Sequence, residues 1–509
     1  MKPMDNLARQ GRDADRGGAD GAAREGERSA LTPADLRPLL AGLMVAMFLA
    51  ALDQTIVAIA LPTIGRQFND MGNLSWIVTA YLLSGTAVAP VFGTLSDIFG
   101  RRIMIVIALS IFVAASVLCA LAPNMLTLIL ARFLQGIGGG GIIPVVQTII
   151  ADAISPKERG EYQAYFSGVW LAAGLSGPLL GGIITEYLHW SAIFWINLPL
   201  TALALAALLP HMHRLPVNHR RRKVDWLGGA LLMTSAIVIL LILTWGGVRY
   251  AWSSPVIVAM GVGALMLLGA FVWYAERTAE PFLPLRLLGG SVVPFAILAG
   301  GLTVGCLLGL TVYLPMFYEV VYKLSASEAG LALLPLVALS VPGSWVAGRV
   351  MLRRHRYLWI SIAGASLAAV CFGALALADQ MSLWLFLVVL SVGSLGVGPM
   401  FSTTMATMQN AVARSQIGTA TGAMNYARAL MSSFAVAGFT AILMAALSAG
   451  GAGRENLDLA RELSGADAMS AFRYIFATAG LMMAGAALSM ALMEERPLAG
   501  PERDQAEPG

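Results

Sequence analysis

Asp53 is a carboxylate inside an apolar run, about fifteen residues from the run's start near residue 38 and so well within the thickness a bilayer would cover. One turn away on its own helix stand Leu49, Ala50, Ile56 and Val57, none of which is a counter-charge. An acid placed this way normally faces a water-filled cavity and marks an ion or proton pathway. Desolvation disfavours its charge, so uptake of a proton near neutral pH is the expectation. The alternative is a structural carboxylate held by an arginine or a helix end. Arg132 lies about seven residues into another apolar run, and a guanidinium cannot shed its proton. It must find acceptors or a carboxylate, or else snorkel outward. Arg428 and Arg473 lie closer to the ends of their runs, where snorkelling is expected.

Two further strings could do mechanical work. Gly93-Thr94-Leu95-Ser96-Asp97-Ile98-Phe99-Gly100-Arg101-Arg102 ends one apolar run and starts the next. Gly93 and Gly100 permit close approach and a tight turn, while Asp97, Arg101 and Arg102 could latch two halves of a molecule together. Membrane topology alone explains the arginines but not Asp97. Gly177-Pro178-Leu179-Leu180-Gly181-Gly182 combines small residues that let helices touch with a proline that removes one helix hydrogen bond.

The elements that must hold these residues are membrane helices. Of 509 residues, 58% are apolar and only 12% charged, and the mean hydropathy is +0.74. About 25% charge is usual for a soluble domain, so the solvent here is lipid. A span needs about 20 mostly apolar residues. Fourteen candidates lie near 38–62, 74–97, 103–122, 125–149, 162–185, 190–209, 225–247, 254–275, 290–321, 328–350, 357–378, 383–408, 422–446 and 469–493. They are too long, and alternate too little, for barrel strands of about ten residues.

With the N-terminus inside, 25 of the 33 basic residues fall in cytoplasmic segments, five in outer loops and three within spans. That asymmetry predicts both termini in the cytoplasm of a multi-pass protein of the plasma (inner) membrane. Trp76, Trp190, Trp252, Trp359 and Trp384 stand at span ends, as an interfacial belt requires. The longest interior polar break, 211–225, divides the spans into six, two and six. The organisation expected is a disordered tail over 1–36, a six-helix bundle over 37–210 and a central loop over 211–224. Two extra helices over 225–276, a second bundle over 277–495 and a tail over 496–509 complete it. The first apolar run is too long for the core of a cleavable signal.

In this order along the chain, the strings resemble those of the major facilitator superfamily, in its fourteen-helix drug:proton antiporter branch. LDQTIVAIALP (52–62) is similar to that branch's first-helix signature, and 93–102 matches the superfamily's G-x-L-x-D-x-x-G-R-[RK] element. Arg132 to Gly138 is similar to R-x-x-Q-G-x-G, 177–182 to the antiporter element G-P-x-x-G-G, and WINLP (195–199) to a string of the same branch. Ala173 stands where the family usually has Gly, Trp190-Ser191-Ala192 replaces a Trp-Arg-Trp string, and Glu319 replaces a Gln common in relatives.

The resemblance implies an all-α integral membrane protein of two six-helix bundles with two further helices inserted centrally. It implies a proton-coupled exporter of amphiphilic, drug-like molecules, working by alternating access, with Asp53 and Arg132 moving protons. It also implies a cytoplasmic gate at Gly93, Asp97, Gly100, Arg101 and Arg102, and a substrate cavity lined by Gln54, Gln135 and Glu319. No cofactor is expected, since the proton gradient is the energy source. The partners are protons, a small-molecule substrate and lipid, not nucleic acid. The chain should act as a monomer, with or without a periplasmic adaptor.

Other classes fare worse. A phosphate-cradling G-x-x-x-x-G-K-[ST] is missing, because none of the four lysines follows a glycine. The five histidines are scattered over loops and span ends on both faces, which suits neither a metal site nor an enzyme's catalytic centre. Cys119, Cys306 and Cys371 each lie in an apolar run and read as core. An exporter dedicated to one metabolite shares every feature above. A transport-inactive sensor on the same scaffold is the more distant alternative.

Overall fold

The structure, a computed structural model, describes residues 33–70, 73–212, 224–247, 249–354, 356–378, 381–449 and 465–498. Most of the N-terminal tail, the central loop over 213–223, the loop containing Arg454 and Arg461, and the last eleven residues lie outside these. Among the described residues the architecture is helical, without strands.

The helices are α1 (Pro33–Phe68), α2 (Leu74–Phe99), α3 (Arg101–Ala120), α4 (Met125–Ala153), α5 (Pro156–Tyr187), α6 (Ala192–Trp195), α7 (Asn197–Leu208) and α8 (Trp226–Trp245). After them come α9 (Pro255–Arg277), α10 (Val293–Val321), α11 (Ala326–Ala338), α12 (Ser340–Arg353), α13 (Leu358–Leu377), α14 (Leu383–Ala411), α15 (Ile417–Ala449) and α16 (Gly465–Leu492). Thirteen stretches are long and apolar enough to cross a bilayer, and the shorter apolar stretch Ala192–Leu208 makes the fourteenth.

Local chemistry sets many of the ends. The Asn124 side chain accepts from the Thr127 N–H at 2.9 Å, and Ser325 and Glu328 form a reciprocal capping box at the start of α11. Pro156 and Pro255 sit in first turns, where a missing N–H costs nothing. Two of the spans are broken, which the apolar runs did not reveal. Pro199 removes the N–H that would reach the Trp195 carbonyl, and the helix is interrupted at Ile196 between α6 and α7, with the backbone there still in the right-handed helical region. Pro342 does the same for Ala338, and the break falls at Leu339 between α11 and α12.

Spans one to six pack into one half and the last six into another, each around its own apolar core. Large apolar side chains such as Leu82, Ile107, Leu130, Leu265 and Leu377 cover the outside, where lipid would meet them. The inserted pair α8 and α9 is central in sequence but peripheral in space. α8 leans on α2 and α15, and Trp245 stacks edge-on against Trp76 at 5.9 Å.

Contact between the halves is concentrated on one side, the side carrying Arg101, Lys157 and Arg414 and here called the basic side. There α2 crosses α15 backbone to backbone, because a Cβ on Gly93 would run into the Gly418 carbonyl oxygen and a Cβ on Gly418 into that of Gly93. α5 meets α12 in the same way, Gly160 leaving room for Met351 and Gly348. Among the described residues, hydrogen bonds joining the two halves lie within about three helical turns of this side. The halves are closed there and diverge toward the opposite side.

Candidate functional site

The first cluster lies inside the N-terminal half. Asp53 is fully buried on α1, and its Oδ2 accepts from Arg132 Nη1 of α4 at 2.6 Å. Its Oδ1 accepts from Gln135 Nε2 at 2.9 Å and from Asn197 Nδ2 of α7 at 3.2 Å. Ser116 of α3 ties the two amides together, accepting from Gln135 at 2.8 Å and Asn197 at 3.1 Å while donating to the Phe112 carbonyl. Arg132 also donates to Gln135 Oε1 at 2.7 Å and, through Nε, to the Ile77 carbonyl at 3.2 Å. The face of Tyr81 covers its guanidinium at 4.3 Å. All three side chains at Asp53 are donors, the arrangement a carboxylate needs. The counter-charge that its own helix lacks comes from α4.

The seam around this cluster is set by small residues. Gly136 lets α4 lie against the Tyr81 carbonyl and Ser84 of α2, and Gly177 makes room for the Thr55 side chain of α1. The Thr55 hydroxyl sits 3.0 Å from the carbonyl oxygen of Ala173, the buried residue that departs from the family's glycine. Gly181 faces the Ile56 carbonyl one turn later, whereas Gly182 and Pro178 make no such contact. The glycine-proline string therefore packs α5 onto α1 within two residues of Asp53.

The second cluster joins the halves. Asp97, at the basic end of α2, accepts from the Gly418 N–H at 3.0 Å, the Thr419 N–H at 2.7 Å and the Thr419 hydroxyl at 2.9 Å. It caps the first turn of α15, a helix of the other half, where unsatisfied N–H groups and the helix dipole favour an anion. Arg101 bridges Asp97 at 2.8 Å and Asp152 of α4 at 2.7 Å, and it donates to the Ser96 carbonyl. Gly100 ends α2 at φ +91°, a conformation that favours glycine. Arg102 is exposed and outside the cluster.

Of the residues named from sequence, the structure thus gathers Asp53, Arg132 and Gln135 in one place, and Gly93, Asp97, Gly100 and Arg101 in another. Gln54 is partly buried beside Asp53 and donates to the Ala50 carbonyl. Glu319 is far from both, near the opposite-side end of α10. Arg428 differs from expectation: α15 starts at Ile417, five residues earlier than the apolar run, so Arg428 is about three turns inside and does not snorkel. Asn197, Ser116, Asp152 and Thr419 were missed. The one sequence signal for any of them is the WINLP string that contains Asn197.

Among the described residues, no three His, Cys, Asp or Glu side chains come together to hold a metal, and the three cysteines are buried and unbridged. An open apolar groove of 740 Å³ lies where α1, α5 and α7 meet α12, lined by Phe48 and by the exposed side chains of Tyr165, Leu203 and Trp345. It does not reach Asp53.

Comparison with known proteins agrees with this layout. The chain is 34% identical over 424 residues, 81% of its length, to an uncharacterized MFS-type transporter of Mycobacterium tuberculosis, of which it spans 60%. It is 32% identical over 405 residues to the efflux pump dotC of Dothistroma septosporum, covering 78% of this chain and 69% of that one. It is 31% identical over 391 residues to multidrug resistance protein 3 of Bacillus subtilis, covering 76% and 75%. The solved structure of the proton:xylose symporter XylE superposes with a TM-score of 0.60 over 91% of this chain and 96% of that one, at 15% identity, a likeness of fold. Residues 43–436 match the Major Facilitator Superfamily. A match across most of the chain, on two six-span halves meeting as described, means that the chain belongs to the Major Facilitator Superfamily.

Proposed function

We propose that this protein is a secondary transporter that exports amphiphilic small molecules in exchange for protons, by alternating access. The observation that carries the reading is the buried Asp53 carboxylate, held by Arg132 and two amides that all belong to one half. A proton arriving at Asp53 removes its ion pairing with Arg132, and release of that proton restores the pair, so both steps can follow the state of the transporter without disrupting the half's apolar core. Reciprocity requires that a proton which weakens substrate binding is itself weakened by substrate to the same extent. The names of the relatives, an efflux pump and a multidrug resistance protein, support outward transport, and the open apolar groove along α1, α5, α7 and α12 suits amphiphiles.

In this reading the basic side faces the cytoplasm of a cell whose plasma (inner) membrane the protein spans, both termini lie there, and Asp97 with Gly93, Gly100 and Arg101 forms the cytoplasmic gate. The proton gradient supplies the energy and no cofactor is needed. Everted vesicles test this. Accumulation of several unrelated fluorescent amphiphiles on imposing an inward-acid gradient, abolished by a protonophore, is the expected result. Uptake that ignores the protonophore would overturn proton coupling, and uptake of a single compound would replace broad export with a dedicated pathway.

A further inference from the structure

The stripe of α15 that faces the other half can be followed residue by residue. Gly418 abuts Gly93, Gly422 abuts Pro90, and Asn425 donates to Gln147 of α4 at 2.6 Å. Steps of four and three residues carry this face on to Ala429, and Arg428 stands beside it, on the flank turned toward Gly300 of α10. Ile417 to Met424 are all buried, whereas Asn425 to Met431 are all partly accessible, so the halves part at this level. Arg428 lies one turn past Met424, the last of the buried run, and is itself partly accessible.

Its charge is uncompensated. Nη2 donates to the Thr404 hydroxyl of α14 at 3.1 Å, and Thr404 itself donates to the Met400 carbonyl. Nε is buried without an acceptor, in the space left by Gly300 of α10. Among the described residues no carboxylate pairs with Arg428. α14 and α15 contain no acid, and Glu319 on α10 is nineteen residues from Gly300, about 28 Å along the helix. The acids on the facing helices are already engaged, Asp97 and Asp152 by Arg101 and Asp53 by Arg132. Met424 and Met431, one turn to either side, pack over Gly300 and Gly301 and give the site adaptable apolar walls.

We infer that Arg428 is a substrate-binding residue that receives an anionic group, a carboxylate or sulfonate, on the amphiphile the protein transports. A guanidinium deep in a membrane protein pairs with a counter-charge, and its planar fork fits two anion oxygens at once. This one is partly accessible and makes one hydrogen bond, to Thr404, and among the described residues no acid meets its remaining donors. Transport of organic anions rests on the transporter reading above and narrows its substrate class.

Equilibrium binding separates the two. Purified protein in neutral-lipid nanodiscs, without any gradient, is titrated with 8-anilinonaphthalene-1-sulfonate and with N-phenyl-1-naphthylamine, the same ring system lacking the sulfonate, with empty discs subtracted. Wild type should prefer the sulfonate by about tenfold or more, the scale of one charge-assisted pair. Arg428→Gln should lower sulfonate affinity to that of the uncharged probe while leaving the latter unchanged, and Arg428→Lys should keep part of the preference. A preference that persists in Arg428→Gln overturns the assignment. So does equal binding of the two probes by wild type, a result that needs no variant to fold. Because no gradient is present, binding as expected together with failed proton-driven uptake would sink only the coupling.

Discussion

The two buried acid–arginine clusters use the same chemistry for different ends, and the difference lies in who supplies the partners. Asp53 draws every donor from its own half: Arg132 and Gln135 from α4 and Asn197 from α7. Asp97 draws three donors from α15, across the interface. Relative motion of the halves leaves the first cluster's geometry intact and must break the second. One cluster can therefore store a charge state through a transport cycle, while the other reports and stabilises a single conformation.

The largest effect is expected at Asp53. Asp53→Asn leaves Arg132 buried without a counter-charge, which should cost about 3–5 kcal/mol of stability, measured by thermal unfolding in detergent. Arg132→Gln combined with Asp53→Asn should recover most of that loss, since a neutral amide pair leaves no bare charge. Neither variant should concentrate substrate against its gradient at the expense of ΔpH in liposomes. Uphill transport by the stable double variant would show that the pair is structural.

Asp97→Asn should have the next largest effect. It removes charge-assisted acceptance from the first turn of α15, worth about 1–3 kcal/mol, so the population closed on the basic side should fall about tenfold or more. Turnover should slow by a common factor for all substrates, since Asp97 lies at the rim. Loss of one compound class with normal export of another would contradict its assignment as a latch. Cross-linking of cysteines placed on α2 and α15 would read the population directly.

Substrate charge tests what the two clusters leave available. Asp97, Asp152 and Asp53 are already paired, so a bis-quaternary cation should be exported at least about tenfold less efficiently than its monovalent analogue. Equal export of the two would require an acid beyond those described. The smallest effect is expected at Asn197. Asn197→Ala removes one of three donors to Asp53 and should cost about 1 kcal/mol, slowing transport only a few-fold with coupling retained. Complete uncoupling would mean that Asn197, not Arg132, carries the proton-linked switch.

Much of this was legible in the residues themselves. The membrane class, the fourteen spans and the side bearing the basic loops follow from run length and charge, because a bilayer imposes one thickness on every helix. Asp53, Arg132 and Asp97 stand out for the same reason, being charges where charge is costly. Run length did not reveal the breaks at Ile196 and Leu339, since hydropathy counts a proline-interrupted span as continuous. It also placed Arg428 near a helix end, because Gly418 and the polar Thr419 and Thr421 hid the true start of α15.

What the sequence determined alone is the list of charges that the membrane must accommodate. Which charges meet was decided only by tertiary structure. A helix presents neighbours three and four residues away, and at that range Asp53 is alone; Arg132 is 79 positions distant and Thr419 is 322 positions from Asp97. Glycine contacts between α2 and α4, α1 and α5, and α2 and α15 set those distances, because only bare backbones let the helices approach closely enough for short side chains to touch. Arg428 is the complement of this rule: packing brings the buried acids Asp53, Asp97 and Asp152 to other arginines and, among the described residues, brings none to it.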